Sequence, residues 1–311
     1  MTAFTDPSRR PRTRRRHVAA TGALAATALL LAACGGEGSP GGDASAGPAD
    51  DHGAEHAPAV HSHIHGLGID PADGRLYVAT HEGVYTADGS GKPRLVGDSR
   101  DDFMGFTVAG DGTFLASGHP APGSGEPANH GLIRSTDAGK SWTTTSLKGE
   151  ADFHALDHVK GTVYGYDSTG GILRVSEDGG STWKDRARLQ ALDIAVSPAD
   201  PDRLVATTTE GVARSTDGGR NFARGEQPAM EFVSWASPDA LYGIDFTGAL
   251  HLSGDGGTTW KKTATVPGGQ PQALTAVSAG HLLAATQDGV YESKDAGKTF
   301  TKRLTVANGS H

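Results

Sequence analysis

Ser176-Glu-Asp-Gly-Gly-Ser-Thr-Trp183 is the stretch whose reading decides the fold. Its pattern, Ser-x-Asp-x-Gly-x-Ser/Thr/Asn-aromatic, occurs five times, with the aspartate at Asp137, Asp178, Asp217, Asp255 and Asp295. Successive aspartates stand 41, 39, 38 and 40 residues apart. A repeat of that length signals a solenoid, a propeller or an array. Ser, Asp and Gly are turn formers, and each copy lies between short β-rich runs, so the phrase reads as a hairpin turn. Its aspartate accepts backbone N–H groups inside the loop. Its glycine takes backbone angles that other residues resist. The closing aromatic (Trp142, Trp183, Phe222, Trp260 or Phe300) starts the next strand and packs between sheets.

Outward from the phrase, the same grammar recurs. Leu76–Thr80 leads to Gly83–Thr86, Leu204–Thr208 to Gly211–Arg214, and Leu282–Thr286 to Gly289–Glu292. Each unit is therefore four short antiparallel strands, A to D, with the phrase between C and D. A degenerate copy at Ala87-Asp88-Gly89-Ser90 supplies a sixth unit. The expected architecture is all-β, a six-bladed propeller of four-stranded blades over residues 61–311. Val60–Ser62 or Leu304–Ala307 is expected to close the ring. The B–C connection of the second unit, Gly118–His130, is an insertion, and such insertions often lie on a binding face.

The phrase resembles the Asp-box, or BNR repeat, of sialidases and other glycosyl hydrolases, sortilin-type receptors and photosystem assembly factors. That resemblance implies a structural box far from any active site, and a glycosyl-hydrolase-like function directed at glycans. Calcium is a poor fit, since each box offers one carboxylate and not a cluster. The arginine triad and early Arg-Ile-Pro motif of sialidases are not visible. Arg134, Arg174 and Arg214 recur, each just before its box, as part of the repeat.

The amino terminus reads as a targeting segment, residues 1–33. Six arginines between Arg9 and Arg16 precede an apolar stretch from Val18 to Ala33. Leu31-Ala-Ala-Cys34-Gly resembles a bacterial lipobox, which implies cleavage before Cys34 and a lipid on its thiol. Thr13–Arg16 is a loose twin-arginine match. Residues 34–60 form a Gly-, Ser-, Ala-, Asp- and Pro-rich tether. The expected location is the extracytoplasmic side of the cell membrane. Cys34 is the only cysteine, so no internal disulfide supports the fold. Without the leader, 22 basic and 35 acidic residues remain, a net charge of −13. So acidic a chain argues against nucleic-acid partners. The expected partners are the membrane, through the lipid, and a glycan or protein ligand; the expected oligomeric state is a monomer.

In a propeller, strand A lines the axis, and the D–A and B–C connections share one face. The boxes mark the opposite face. Histidines crowd the first face in units one to three: His63 and His65 at the start of strand A, His81 in B–C, then His119 and His154. His63 and His65 project from one side of an extended strand. Convergent imidazoles suit a divalent metal. Met104 and Met230 at the starts of two A strands add a copper variant of that reading. His158 falls on the far face. For glycoside chemistry, Asp102, Asp167 and Glu231 are the candidate catalytic carboxylates, since two must flank the bond. Two functions follow: a glycosyl-hydrolase-like protein, or a non-enzymatic metal-binding or protein-assembly propeller.

Overall fold

A computed structural model describes residues 59–60, 62–87 and 91–306. The leader, Cys34, the tether up to residue 58, His61, the degenerate phrase at 88–90 and residues 307–311 lie outside the described residues.

Six antiparallel sheets follow one another along the chain. Blade 1 holds β1 (Ile64–Ile69), β2 (Leu76–Thr80), β3 (Gly83–Ala87) and β4 (Pro93–Leu95). Blade 2 holds β5 (Asp102–Gly110), β6 (Thr113–His119), β7 (Leu132–Ser135) and β8 (Thr143–Ser146). Blade 3 holds β9 (Phe153–Val159), β10 (Thr162–Asp167), β11 (Ile172–Ser176) and β12 (Lys184–Arg188). Blade 4 holds β13 (Ile194–Val196), β14 (Leu204–Thr208) and β15 (Gly211–Ser215). Blade 5 holds β16 (Phe232–Ser237), β17 (Ala240–Ile244), β18 (Ala249–Ser253) and β19 (Lys261–Thr265). Blade 6 holds β20 (Pro271–Ser278), β21 (His281–Thr286), β22 (Gly289–Ser293) and β23 (Thr301–Thr305).

The outer position of blade 4 is filled by irregular chain at 223–226. There Val212 and Glu226 exchange two backbone bonds, of 2.8 and 3.1 Å. Gly225 stands against Thr208 and Gly211 there, and Pro228 follows. Gly and Pro weaken a regular strand.

Sequence character follows position in the blade. The second strands are buried along nearly their whole length because a neighbouring blade covers each face, so they read as continuous apolar runs. The outermost strands are exposed and charged, as in Lys184–Arg188 and Lys261–Thr265. Lysine and arginine on an edge discourage pairing with another chain.

The apolar core is six clusters, one between each pair of adjacent blades. Trp142, Trp183, Phe222, Trp260 and Phe300 each join one of five clusters. The sixth, between blades 6 and 1, contains Val60 and Val306 instead. Val60 bridges Val306 in parallel, and its N–H donates to the Thr305 carbonyl at 2.9 Å. Both segments expected to close the ring therefore meet, each in part.

All six interfaces are also stitched by polar side chains. Gly112 N–H donates to Asp70 Oδ1 (2.9 Å), Phe153 N–H to Ser117 Oγ (3.0 Å) and Val196 N–H to Asp157 Oδ2 (2.8 Å). Val233 N–H donates to Asp193 Oδ2 (2.9 Å), Ala276 N–H to Ser234 Oγ (2.9 Å) and Thr275 Oγ1–H to the Leu67 carbonyl (2.9 Å). These bonds occupy backbone groups that no strand of the same blade reaches.

The five phrases fold alike. In the second, Ser176 Oγ donates to Asp178 Oδ1 at 2.7 Å and accepts Gly180 N–H at 2.8 Å. Asp178 takes Thr182 N–H on Oδ1 (2.8 Å) and the Thr182 hydroxyl on Oδ2 (2.6 Å). The same set recurs around Asp137, Asp217, Asp255 and Asp295. Both carboxylate oxygens accept hydrogen bonds inside the turn. The hydroxyl or amide at the end of each turn and the backbone N–H groups favour the charged form, so Asp137, Asp217, Asp255 and Asp295 are held down to about 2.

The repeat arginines divide. Arg134 and Arg214 directly precede their box serines, and each donates to the box backbone of the next blade, at Gly179 O (2.7 Å) and Gly257 O (3.4 Å). Arg174 stands one residue earlier, two before Ser176. Strand alternation turns it to the other side, where it pairs with Asp167 at 3.0 Å. It is not the equivalent of the other two.

Candidate metal centre

Strand A of every blade lines one axial cavity of about 520 Å³. His65 stands on its wall from β1 and His154 from β9. Around these two residues the histidines of blades 1 to 3 gather into two groups. In each group the potential donor atoms lie within 4.8 Å of one another: His63, His65 and His81 in one, His119, Asp152 and His154 in the other.

The first group is built at the start of blade 1. His63 precedes β1, His65 lies in it, and His81 sits in the tight turn between β2 and β3. The ring centroids of His63 and His65 are 4.7 Å apart, and those of His65 and His81 4.3 Å. His65 Nε2 lies 3.1 Å from His81 Nε2. His81 Nδ1 faces Asp102 Oδ1 at 2.9 Å. His65 Nε2 is also 3.3 Å from that Nδ1; a proton on Nδ1 satisfies the Asp102 contact and leaves the Nε2 lone pair of His81 available. Burial holds His65 down to about 3, helped by the nearby His63, His81 and His154, so it is neutral throughout the physiological range. Three imidazoles so placed can share a single cation.

The second group spans blades 2 and 3. His119 ends β6, and its Nδ1 donates to the Ala128 carbonyl at 3.0 Å, within the insertion. Nε2 is left facing Asp152 Oδ2 at 3.8 Å. His154 Nε2 is 2.8 Å from the same oxygen, and Ser168 Oγ donates to it at 3.1 Å. Asp152 is 6% exposed. Burial pushes its carboxyl up, but the His154 bond and the two imidazoles offset this, leaving it below its ordinary value. Its Oδ1 is buried without a hydrogen-bond partner. The insertion itself is pinned by Asp101, whose Oδ1 accepts Ala121 N–H at 2.8 Å and whose Oδ2 lies 3.2 Å from His130 Nε2.

The five histidines expected at a site are thus all on this face, divided three and two. The candidate carboxylates are dispersed over three blades. Asp102 stands behind His81. Asp167 is 2% exposed and closed by Arg174. Glu231 is half-buried just before β16; burial raises its pKa, and its Oε2 has no partner. Among the described residues, none of the three is hydrogen-bonded or ion-paired to another. Met230 is fully buried in the core between blades 4 and 5, so it is packing and not a ligand. His158 lies near the opposite end of β9, as expected. Two further carboxylates line the cavity, Asp193, which the sequence places on this face in the fourth unit, and Asp157, which it does not single out; burial raises them to about 7 and about 6.

No family model matches the chain, and no curated protein matches it. Solved structures do. A GH74 enzyme from Niastella koreensis aligns with TM-score 0.59 and 16% identity over 80% of this chain and 46% of its own. The GH74 xyloglucanase from Xanthomonas campestris gives 0.53 and 18% over 79% and 46%. YCF48 bound to D1 peptide gives 0.50 and 15% over 80% and 83%. The shared feature is the β-propeller fold. This chain spans under half the length of the GH74 structures.

Proposed function

We propose that the protein is an exported, lipid-anchored propeller that binds a transition-metal ion through His63, His65 and His81. One observation carries this reading: three donor atoms lie within 4.8 Å of one another, and Asp102 engages the Nδ1 of His81. A carboxylate that fixes the tautomer of a ligating histidine is a recurrent second partner in metal sites. Three imidazoles without a thiolate suit Zn²⁺ or Cu²⁺. With Met230 in the core, a thioether ligand for copper falls to Met104 alone. The lipobox at Cys34 would place this rim outside the membrane, held off it by residues 35–60.

The test is metal analysis of the mature chain after mild purification, followed by titration with Zn²⁺ and Cu²⁺. Tight binding that disappears in a His63→Ala/His81→Ala variant supports the reading. Binding unaltered in that variant overturns it. Retention of a Cys34→Ala variant in the membrane fraction would overturn the anchor.

We read the five turns as Asp-boxes of the sialidase-like, glycosyl-hydrolase class. A glycan-directed role is the second reading. It draws on the fold shared with GH74 enzymes and on Glu231, whose unpartnered, raised carboxyl has the character of a general acid. Hydrolysis of an aryl-glycoside panel, lost in Glu231→Gln, would support it. Protein binding on the same fold has a precedent in YCF48 bound to D1 peptide.

A further inference from the structure

The geometry points to a second, chemically different metal site at His119, Asp152 and His154. It stands on observations separate from those at His63, His65 and His81. Asp152 is more than nine-tenths buried, and its Oδ1 has no hydrogen-bond partner. A buried carboxylate oxygen left empty-handed costs free energy, and a cation bound to the carboxylate offsets that cost.

The imidazoles are set for the same purpose. His119 is oriented by the Ala128 carbonyl on Nδ1, so its Nε2 lone pair faces the carboxylate. The 3.8 Å between that nitrogen and Asp152 Oδ2 is too long for a hydrogen bond. It suits two ligands on one ion, each bonded at about 2.0–2.2 Å. His154 Nε2, now 2.8 Å from the same oxygen, is the third donor. Ser168 Oγ donates to the same oxygen and helps to fix the carboxylate.

Two imidazoles and a carboxylate make a three-ligand set on one side of an ion, with further positions open. Its oxygen donor admits a harder ion than three imidazoles do. The second site would therefore accept Mn²⁺ as well as Zn²⁺, whereas the first would strongly prefer Zn²⁺ or Cu²⁺. The insertion at 118–130 acquires a role: through Ala128 it holds a ligand.

The experiment is titration of the metal-free mature chain with Zn²⁺, with bound ion counted by elemental analysis, and with Mn²⁺, with free ion read by electron paramagnetic resonance. Two equivalents of Zn²⁺ and one of Mn²⁺ are expected. Asp152→Asn and His119→Gln each remove the Mn²⁺ equivalent and one Zn²⁺, and leave the other Zn²⁺ in place. His63→Ala/His81→Ala removes only the latter. The second site is overturned if Asp152→Asn and His119→Gln both leave binding unchanged. It is also overturned if wild type binds one Zn²⁺ that every variant abolishes, since that is a single shared site. Loss of the Zn²⁺ at His63 and His81 alone leaves this inference standing and removes only the functional reading above.

Discussion

Gly219→Ala tests the contact that joins one blade to the next. Gly219 is the second glycine of the third phrase, with φ of +77°. A Cβ there would lie 2.3 Å from Leu173 Cδ2, in β11 of the preceding blade. Carbon atoms in contact sit about 3.5–4.0 Å apart. Leu173 is fully buried among Ile194, Val196 and Leu204, so it has little room to turn away. The left-handed backbone costs a side chain about 1–2 kcal/mol, and overpacking a core about 1–3 kcal/mol more. The expected loss is about 2–5 kcal/mol. Gly161 is the control: its φ is +83°, and no atom lies within 4 Å of its would-be Cβ. Gly161→Ala should cost only the backbone part, about 1–2 kcal/mol. In a domain this size, each kcal/mol lowers Tm by about 2–4 °C. Thermal melts should separate the two variants by several degrees. Equal melting shifts would refute the reasoning, since the cost would then be backbone alone. A double variant adding Leu173→Ala sharpens the test. Trimming Leu173 makes room, so the pair should lose less stability than the two single changes combined.

Four further outcomes are expected. Asp102→Ala should weaken metal binding at His63, His65 and His81 by about 10–100-fold, measured by competition with a chelator; an unchanged affinity removes Asp102 from the site. Ser176→Ala should cost about 1–3 kcal/mol in urea unfolding, because the buried Gly180 N–H loses its acceptor; a neutral result would mean that water replaces the hydroxyl. The box aspartates have folded pKa values below their ordinary 3.8, so their stabilisation is complete above about pH 4 and lost as pH falls through about 2. Replacing Asp255 with Asn should flatten that acid limb, and an unaltered limb would count against it. Asp193 has the opposite sign. Its folded value of about 7 exceeds 3.8, so its contribution is full below about pH 4 and lost as pH rises through about 7. Asp193→Asn should be penalised more at pH 5 than at pH 8, by about 1–4 kcal/mol; equal penalties would show that the carboxyl titrates normally.

Much of this arrangement was legible because a repeat carries its geometry in its spacing. The phrase located the C–D turns, and those turns located the opposite face by exclusion. His63, His65, His81, His119 and His154 could then be placed on one side without coordinates. Single-residue parity was harder. Arg174 looks like Arg134 and Arg214 until its distance from Ser176 is counted, and one step along a strand exchanges the two sides. Pairing across blades was not legible at all. Nothing near Asp102 in the chain points to His81, 21 residues away. The stitches at Asp157 and Asp193 were hidden likewise, since each carboxylate reaches an N–H about 40 residues downstream.

The fold supplies a rule that connects these pairings. The end of strand B in one blade meets the start of strand A in the next. His81 meets Asp102 in this way, and His119 meets Asp152. Blade 6 meets blade 1 differently, through the starts of two A strands, where Gln272 Oε1 accepts Ile64 N–H at 3.1 Å. Equivalent positions thus carry a His–carboxylate pair twice, yet the two carboxylates are differently placed. Asp102 meets His81 at Nδ1, so it orients an imidazole and leaves Nε2 as the nitrogen to bind. Asp152 lies between two Nε2 atoms and keeps a buried oxygen without a partner, so it is itself a donor. One repeat position thereby provides an orienting carboxylate in blade 2 and a ligating one in blade 3. Exchanging chemistry between the two proposed sites would require moving the carboxylate relative to the ring, which no substitution at His81 or His119 alone can do.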